Sequence, residues 1–370
     1  MEKAKISSYQ LFVLMVLFQL GSALLVPIGM EAKQDAWLAI LMGMTAAFIL
    51  MYIYDGLYRY NEGKPLTEFL KDILGNFLGR FVAFLYVLYF VYLAARVLRD
   101  LGVALLTFAY PFTPLFVVNG IFILVVIYTV YKGVEVIART GELLVVLEFL
   151  LAVTFIILIV VSGLIQVSNL KPVLEEGVLP VIKVALKETV YFPFGEVIVF
   201  LMIFPYLKQP EKIKKVGIGS IALSGIFLSL FMAINISVIG INLTARSHYP
   251  LLTVIQSIEL TGFLERLDIY FLVLLVIGMF FKISVFAYAA VTGAASVFSI
   301  KKPSRLAYPI GMVILLLSIV IASNYSEHIS EGVNIVPLYI HLPFQVIMPL
   351  FLLVIASFKY KKKSKTADEK

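Results

Sequence analysis

The 370-residue sequence contains no cysteine. Disulfide frameworks, zinc ribbons, iron–sulfur centres and thiol nucleophiles are therefore excluded. Histidine is nearly as scarce: His248, His328 and His341 are the only three, and none is spaced as a metal-ligand pair. Charged residues make up 14% of the chain, where an average soluble domain carries about 25%. No Gly-rich phosphate loop and no nucleophile elbow is present, so enzymatic chemistry is not expected and no cofactor is implied. Segments of about ten residues with alternating polarity, the mark of a transmembrane β-barrel, are missing too.

What fills the chain instead is apolar: 61% of the residues are hydrophobic. Several runs reach the roughly 20 residues that cross a hydrocarbon layer about 30 Å thick. The first run, from Tyr9 to Met30, is too long for a signal-peptide core and is followed by Glu31-Ala32-Lys33 without a small-residue cleavage site, so it reads as a retained helix. Ten spans are predicted, over 9–30, 36–57, 80–108, 115–131, 141–165, 187–207, 217–242, 268–298, 306–323 and 339–358. The expected protein is an all-α integral membrane protein with one transmembrane domain over 1–370. Two five-helix halves cover 9–165 and 187–358, followed by a basic tail, 359–370.

Basic residues set the orientation. With a cytoplasmic N-terminus, the inner connectors hold Lys3, Lys5, Arg59, Lys64, Lys71, Arg80, Lys132, Arg139, Lys208, Lys212, Lys214, Lys215, Lys301, Lys302, Arg305 and the tail lysines from Lys359 to Lys365. The outer connectors keep only Lys33, Lys171, Lys183, Lys187, Arg246 and Arg266. That imbalance places both termini inside, and an even number of spans follows. The formal charge of +7 is read as this asymmetry plus contact with anionic membrane lipids, not as nucleic-acid binding. The outer segments near 166–187 and 245–268 are expected to form short surface helices, with Gly177 and Pro180 keeping the first from being a span.

Two spans carry helix breakers. Span one reads Gln19-Leu20-Gly21-Ser22-Ala23-Leu24-Leu25-Val26-Pro27, and span six reads Tyr191-Phe192-Pro193-Phe194-Gly195-Glu196. Proline removes a backbone donor and clashes with the preceding turn, and glycine lowers the cost of unwinding. In hydrocarbon such a break persists only where it is buried or lines a cavity. Each site alone could be an ordinary kink. Their places as first and sixth of ten spans make them matching members of two halves, which points to an inverted repeat with a binding site near the midplane. Unwound ends offer N–H groups to an anion and carbonyls to a cation, which suits a small polar ligand such as a zwitterionic amino acid.

Several charges fall inside the spans. Glu196 sits beside the second break, Lys282 near the middle of span eight, and Glu148 in span five about two turns from the cytoplasmic face. Each costs at least about 2.5–3.5 kcal/mol in lipid, so pairing is expected, with Lys282 matched to Glu196 or Glu148. A ligand counter-charge and a gating or proton-coupling role are the functional alternatives for these residues. Arg96 and Asp100 stand four apart on span three and can pair on one helix face, or Arg96 can capture a carboxylate. Tyr86, Tyr89, Phe90 and Leu93 form an aromatic-rich stripe on the same helix.

Three segments in order, Leu170-Lys171-Pro172-Val173-Leu174-Glu175-Glu176-Gly177, then Phe192-Pro193-Phe194-Gly195-Glu196, then Gln256-Ser257-Ile258-Glu259 with Glu265-Arg266, carry a family likeness over nearly the whole chain. The sequence resembles the B subunit of the spore-germination nutrient receptors, within the amino acid–polyamine–organocation transporter superfamily. The resemblance implies a ten-helix, 5+5 inverted-repeat fold of LeuT type with broken helices one and six. It implies a nutrient sensor of the cell membrane and spore inner membrane that works with an A subunit and a lipid-anchored C subunit. It also implies a pocket between spans one, three, six and eight, here Gly21 and Ser22, Tyr86 and Phe90, Pro193 and Gly195, then Lys282 and Phe286. Gly21 would leave room for the ligand's backbone atoms. Lys282 departs from the small polar residue that some members carry at this place, and it could fill the place of a transporter's bound cation, narrow the pocket or favour an acidic ligand. A proton- or sodium-coupled amino acid transporter, using Glu196 or Lys282, and a ligand-gated ion-conducting subunit are the rival functions.

Overall fold

The computed structural model describes residues 5–258 and 267–368. Lys3, Glu259, Glu265 and Arg266 lie outside them, as do the side chains beyond Lys359. Eight stretches are long and apolar enough to cross a membrane as single helices: Met30–Tyr60, Asn76–Phe108, Leu115–Lys132, Val134–Val161, Pro210–Arg246, Asp268–Val297, Pro303–Val320 and Pro337–Lys359. They are spans two to five and seven to ten. The other two are the interrupted ones. Span one is an α-helix over Ser8–Leu20 that gives way to a single 3-10 turn, Ser22–Leu24. Span six is built from an α-helical piece Val178–Val184, a π-helical piece Ala185–Phe194 and a 3-10 piece Gly195–Met202.

Span six thus begins nine residues earlier than its hydropathy suggests. Gly177 precedes the first turn and Pro180 falls within it, where the missing N–H has no intrahelical partner to lose. The residues expected to form a surface helix there are the first turns of the span, preceded by a short 3-10 turn at Val167–Leu170. In the segment 245–268 a short helix forms over Pro250–Gln256, but its Leu251, Leu252, Val254 and Ile255 are buried, so it packs into the protein and is not the surface helix expected there. Two further helices lie between spans: Leu66–Leu74 ahead of span three, and Tyr325–Asn334 between spans nine and ten.

Local chemistry explains where span one starts. The Ser7 hydroxyl accepts the Gln10 N–H at 3.1 Å, and the Gln10 side chain accepts the Ser7 N–H at 2.8 Å, a reciprocal capping box. Just before it, Ile6 pairs with the end of span six through Ile6 N–H to Tyr206 O (2.9 Å) and Lys208 N–H to Ile6 O (3.0 Å). At the other end, the N–H of Gly29 donates to Glu188 near the start of span six at 3.1 Å. The beginning of each segment meets the end of the other, so spans one and six run antiparallel side by side.

The turn Met30–Asp35, just ahead of the regular helix Ala36–Tyr60 of span two, is tied to the loop ahead of span six. Asp35 accepts the Leu174 N–H on both oxygens (3.1 and 3.0 Å), Gln34 donates to Pro172 O and Glu175, and Lys33 pairs with Glu176 at 2.6 Å. The Glu176 carboxylate holds the Lys33 ammonium above the ordinary lysine range, first by their hydrogen bond and then by charge. Spans one, three, six and eight form the centre. Spans four, five, nine and ten turn large apolar side chains such as Tyr128, Leu143, Val320 and Phe351 outward, as a lipid-facing surface requires.

Candidate ligand-binding site

The first break starts at Gly21, with φ −34° and ψ −88°, whose N–H still reaches Leu17 O at 3.1 Å. Pro27 keeps the chain from rewinding, and Gly29 follows in the left-handed region at φ +74°, where a side chain is disfavoured. The second break is narrower. Phe192 alone leaves helical geometry (φ −118°, ψ 121°), immediately before Pro193. Tyr54 of span two spreads its hydroxyl between two carbonyls freed nearby, Gly195 O at 3.2 Å and Gln345 O at 2.8 Å. Buried carbonyls at a helix break need such a donor, since lipid offers none.

Lys282 is wholly buried and lies 2.5 Å from Glu196, itself 3% exposed. Of the two carboxylates within expectation, Glu196 is the partner. The ammonium also sits over the rings of Phe192 (4.5 Å) and Phe18 (5.3 Å), so two aromatic faces supplement the ion pair. Breaking such a pair is strongly destabilising, because the remaining charge has no water to return to.

Above this pair lies a cavity of about 130 Å³, lined by Ser22, Val26, Pro27, Leu93, Arg96, Val97, Asp100, Glu188, Phe192, Glu196, Ile329, Gly332, Val333, Val336, Pro337 and His341. A cavity of about 150 Å³ takes a benzene molecule, so this one suits a small metabolite. Its wall alternates charge: the Arg96 guanidinium stands against the carboxylates of Asp100, Glu188 and Glu196. Of the sequence-predicted residues, Ser22, Glu196, Arg96 and Asp100 meet here.

The rest of the expected pocket is packed shut beneath the cavity. A methyl group on Gly21 would stand 2.7 Å from the carbonyl oxygen of Gly278. The glycine therefore makes room for span eight. Tyr86 donates to Phe344 O at 2.8 Å, Phe90 stacks on Phe286 at 6.4 Å, and Phe286 meets Phe18 edge-on at 4.9 Å. Pro193 and Gly195 are buried at the second break, the latter with Gln345 so close that a Cβ would collide. Tyr86, Phe90, Pro193, Gly195, Lys282 and Phe286 are thus buried in packing contacts and do not line the open space.

The Arg96–Asp100 pairing is replaced by another arrangement. Arg96 donates to the carbonyl of His328 and to the Tyr92 hydroxyl (3.3 Å), with Glu331 at 3.8 Å, while Asp100 bonds to the His328 ring at 2.9 Å. Helix Tyr325–Asn334 folds over the outer end of span three and brings partners nearer than the next helical turn. Glu148 is displaced as well. Span five begins at Val134, so Glu148 lies about 21 Å along it at 1.5 Å per residue, near the middle of that helix.

Sequence reasoning missed Glu188, His341 and the whole 325–334 helix. The helix had a signal: Asn324 caps it by accepting the Glu327 N–H at 2.9 Å, while Glu327 accepts the Ser323 N–H, which is the Asn-x-x-Glu spacing of an N-terminus. His341 and Glu188 had none, because lone polar residues in a hydrophobic run do not reveal which way they face. His341 is held by Tyr89 (2.9 Å) and Gln345 (3.0 Å) at one ring nitrogen.

Comparison with known proteins decides the family. A family model described as "Spore germination protein" matches residues 5–326. The chain belongs to the spore germination protein family. It is 50% identical over 369 residues to spore germination protein KB of Bacillus subtilis, covering all of this chain and 99% of that one. Spore germination protein A2 of the same organism is 27% identical over 94% of this chain and 93% of its own length. The resemblance to germinant receptor B subunits therefore holds for the full chain. Among solved structures, MhsT in complex with L-phenylalanine superposes with a TM-score of 0.66 at 13% identity, over 96% of this germination protein and 87% of that chain. Mhp1, a nucleobase-cation-symport-1 family transporter with bound bromovinylhydantoin, gives 0.65 at 15% identity over 88% and 74%. These likenesses establish the fold alone: a multi-pass, LeuT-type arrangement of helices.

Proposed function

We propose that this protein is the B subunit of a germinant receptor that binds a small polar nutrient, in the first instance an amino acid, in the cavity between spans one, three, six and ten, and that binding triggers germination. The observation that carries the proposal is the meeting, at two broken helices, of Arg96 with the carboxylates of Glu188 and Glu196 around about 130 Å³ of space. Arg96 suits a ligand carboxylate, since a guanidinium presents paired donors. Glu188 suits an ammonium, because Gly29 occupies only one of its oxygens. The relation to spore germination proteins over the full chain supports an assembly with A- and C-type subunits in the spore inner membrane. The basic inner connectors support a topology with both termini on the inner side.

The test is germination of spores lacking this gene, presented with single amino acids and sugars and complemented with wild-type, Arg96→Gln and Glu188→Gln genes. A selective loss of response, restored by the wild type and by neither variant, is the expected result. Unchanged responses from deletion spores, combined with nutrient uptake by the purified protein in liposomes, would replace the sensor with a transporter.

A further inference from the structure

A further buried acid lies apart from the cavity and takes no part in it. Glu148 is 3% exposed, and neither of its carboxyl oxygens has a hydrogen-bond partner. It faces a separate small cavity of about 20 Å³, enough for one water-sized particle, since about 10–15 Å³ suffices. The elements that close on this space contribute Leu20 and Leu24 from span one, Phe227 and Phe231 from span seven, Leu251 from the 250–256 helix and Leu274 from span eight. None of these titrates, and among the described residues no cation forms an ion pair with Glu148.

Its position is specific. Leu20 and Leu24 flank the break in span one, and a methyl group built on Gly278 would come 2.7 Å from Gly21 Cα and 3.6 Å from a Glu148 oxygen. The carboxyl group therefore sits where the broken segment crosses span eight. An ionised carboxylate here would be a bare charge in hydrocarbon, the most costly arrangement a membrane protein can hold. A metal ion would need several oxygen ligands, and the wall is made of aliphatic and aromatic side chains.

We infer that Glu148 is a proton-binding site: its carboxyl is neutral while span one is packed against span eight, and the proton leaves when that crossing opens and water enters. On release the carboxyl O–H bond breaks, the proton passes to a water molecule, and the negative charge left on Glu148 is hydrated. The state of the span-one break is thereby linked to the binding of one proton, independently of which nutrient fills the other cavity.

Difference infrared spectroscopy of the purified full-length protein in lipid nanodiscs tests this. At neutral pH the wild type is expected to show a carboxyl C=O stretching band of a protonated, non-hydrogen-bonded acid. That band should vanish in Glu148→Gln and move, without vanishing, in Glu148→Asp. Thermal melting followed alongside should weaken with rising pH in the wild type and weaken less over the same range in Glu148→Gln. Persistence of the band in Glu148→Gln would overturn the proposal, and so would its absence from the wild type. Abolition of the wild-type band by sodium at constant pH would also overturn it, in favour of a metal-cation site.

Discussion

The two broken helices look alike in sequence and differ in what they do. Span one loses its helix over a long stretch, from Gly21 to the turn at Met30–Asp35, and its broken part carries no charge. Span six departs from helical geometry at Phe192 alone, and two carboxylates, Glu188 and Glu196, flank that residue. One break supplies an opening in the backbone and close contact with span eight. The other supplies fixed charge. Matching interruptions in a repeated fold therefore need not be functionally equivalent: proline and glycine set where a chain can unwind, and neighbouring side chains decide what the opening offers.

The contrast can be broken most severely from the charged side. Lys282→Ala leaves Glu196 buried without its cation, which costs about 3–5 kcal/mol for a pair of this kind. Loss of folded protein on size-exclusion chromatography, or a steep drop in melting temperature, is expected. Lys282→Met combined with Glu196→Gln should recover much of the loss. If the single variant melts like the wild type, the pair does not hold span six against span eight.

The backbone side gives a smaller effect. Gly21→Ala pushes a methyl group toward the Gly278 carbonyl, and overpacking of this sort costs about 1–3 kcal/mol. The protein should still insert, melt lower and show an impaired nutrient response. A normal dose response would dissociate the span-one crossing from signalling. Glu188→Ala sharpens the comparison further. It strips the acceptor from the Gly29 N–H, at a cost of about 1–3 kcal/mol for an unsatisfied buried donor, and it removes a cavity carboxylate. Nutrient response should fall more than stability does, measured as dose–response midpoint against melting temperature.

The smallest effect is expected outside the membrane. Lys33 and Glu176 form an exposed pair, and such pairs are worth little and are screened by salt. Lys33→Ala should leave melting and response unchanged, whereas Asp35→Ala, which unties the buried end of the same turn from the Leu174 N–H, should raise proteolysis of the 166–177 loop. Equal sensitivity of the two would mean that the outer turn is held by surface charge.

Much of the fold was legible beforehand because lipid imposes a strict rule. Backbone groups must be satisfied within each span, so length and hydropathy locate helices, and breakers stand out against them. That rule located both interruptions. It misplaced the start of span six, since Gly177 and Pro180 read as breakers that keep an otherwise apolar stretch from being a span. It could not see helix Tyr325–Asn334 at all, which is polar and lies outside the spans. The candidate site was half legible for the same reason. Glu196, Arg96 and Asp100 are conspicuous as charges in apolar runs. Tyr86, Phe90 and Phe286 look like pocket walls on a helix wheel, and only packing shows that they meet one another.

By itself the sequence determined the class of molecule, the number of spans, the two breaks and the need of its buried charges for partners, because each follows from the cost of placing polar groups in hydrocarbon. Tertiary structure decided which partners they found. Lys282 chose Glu196 over Glu148, Arg96 and Asp100 each turned to His328, and Gly21 gave its space to Gly278. Such choices depend on distances of a few ångströms between helices far apart in the chain, and no local pattern records them.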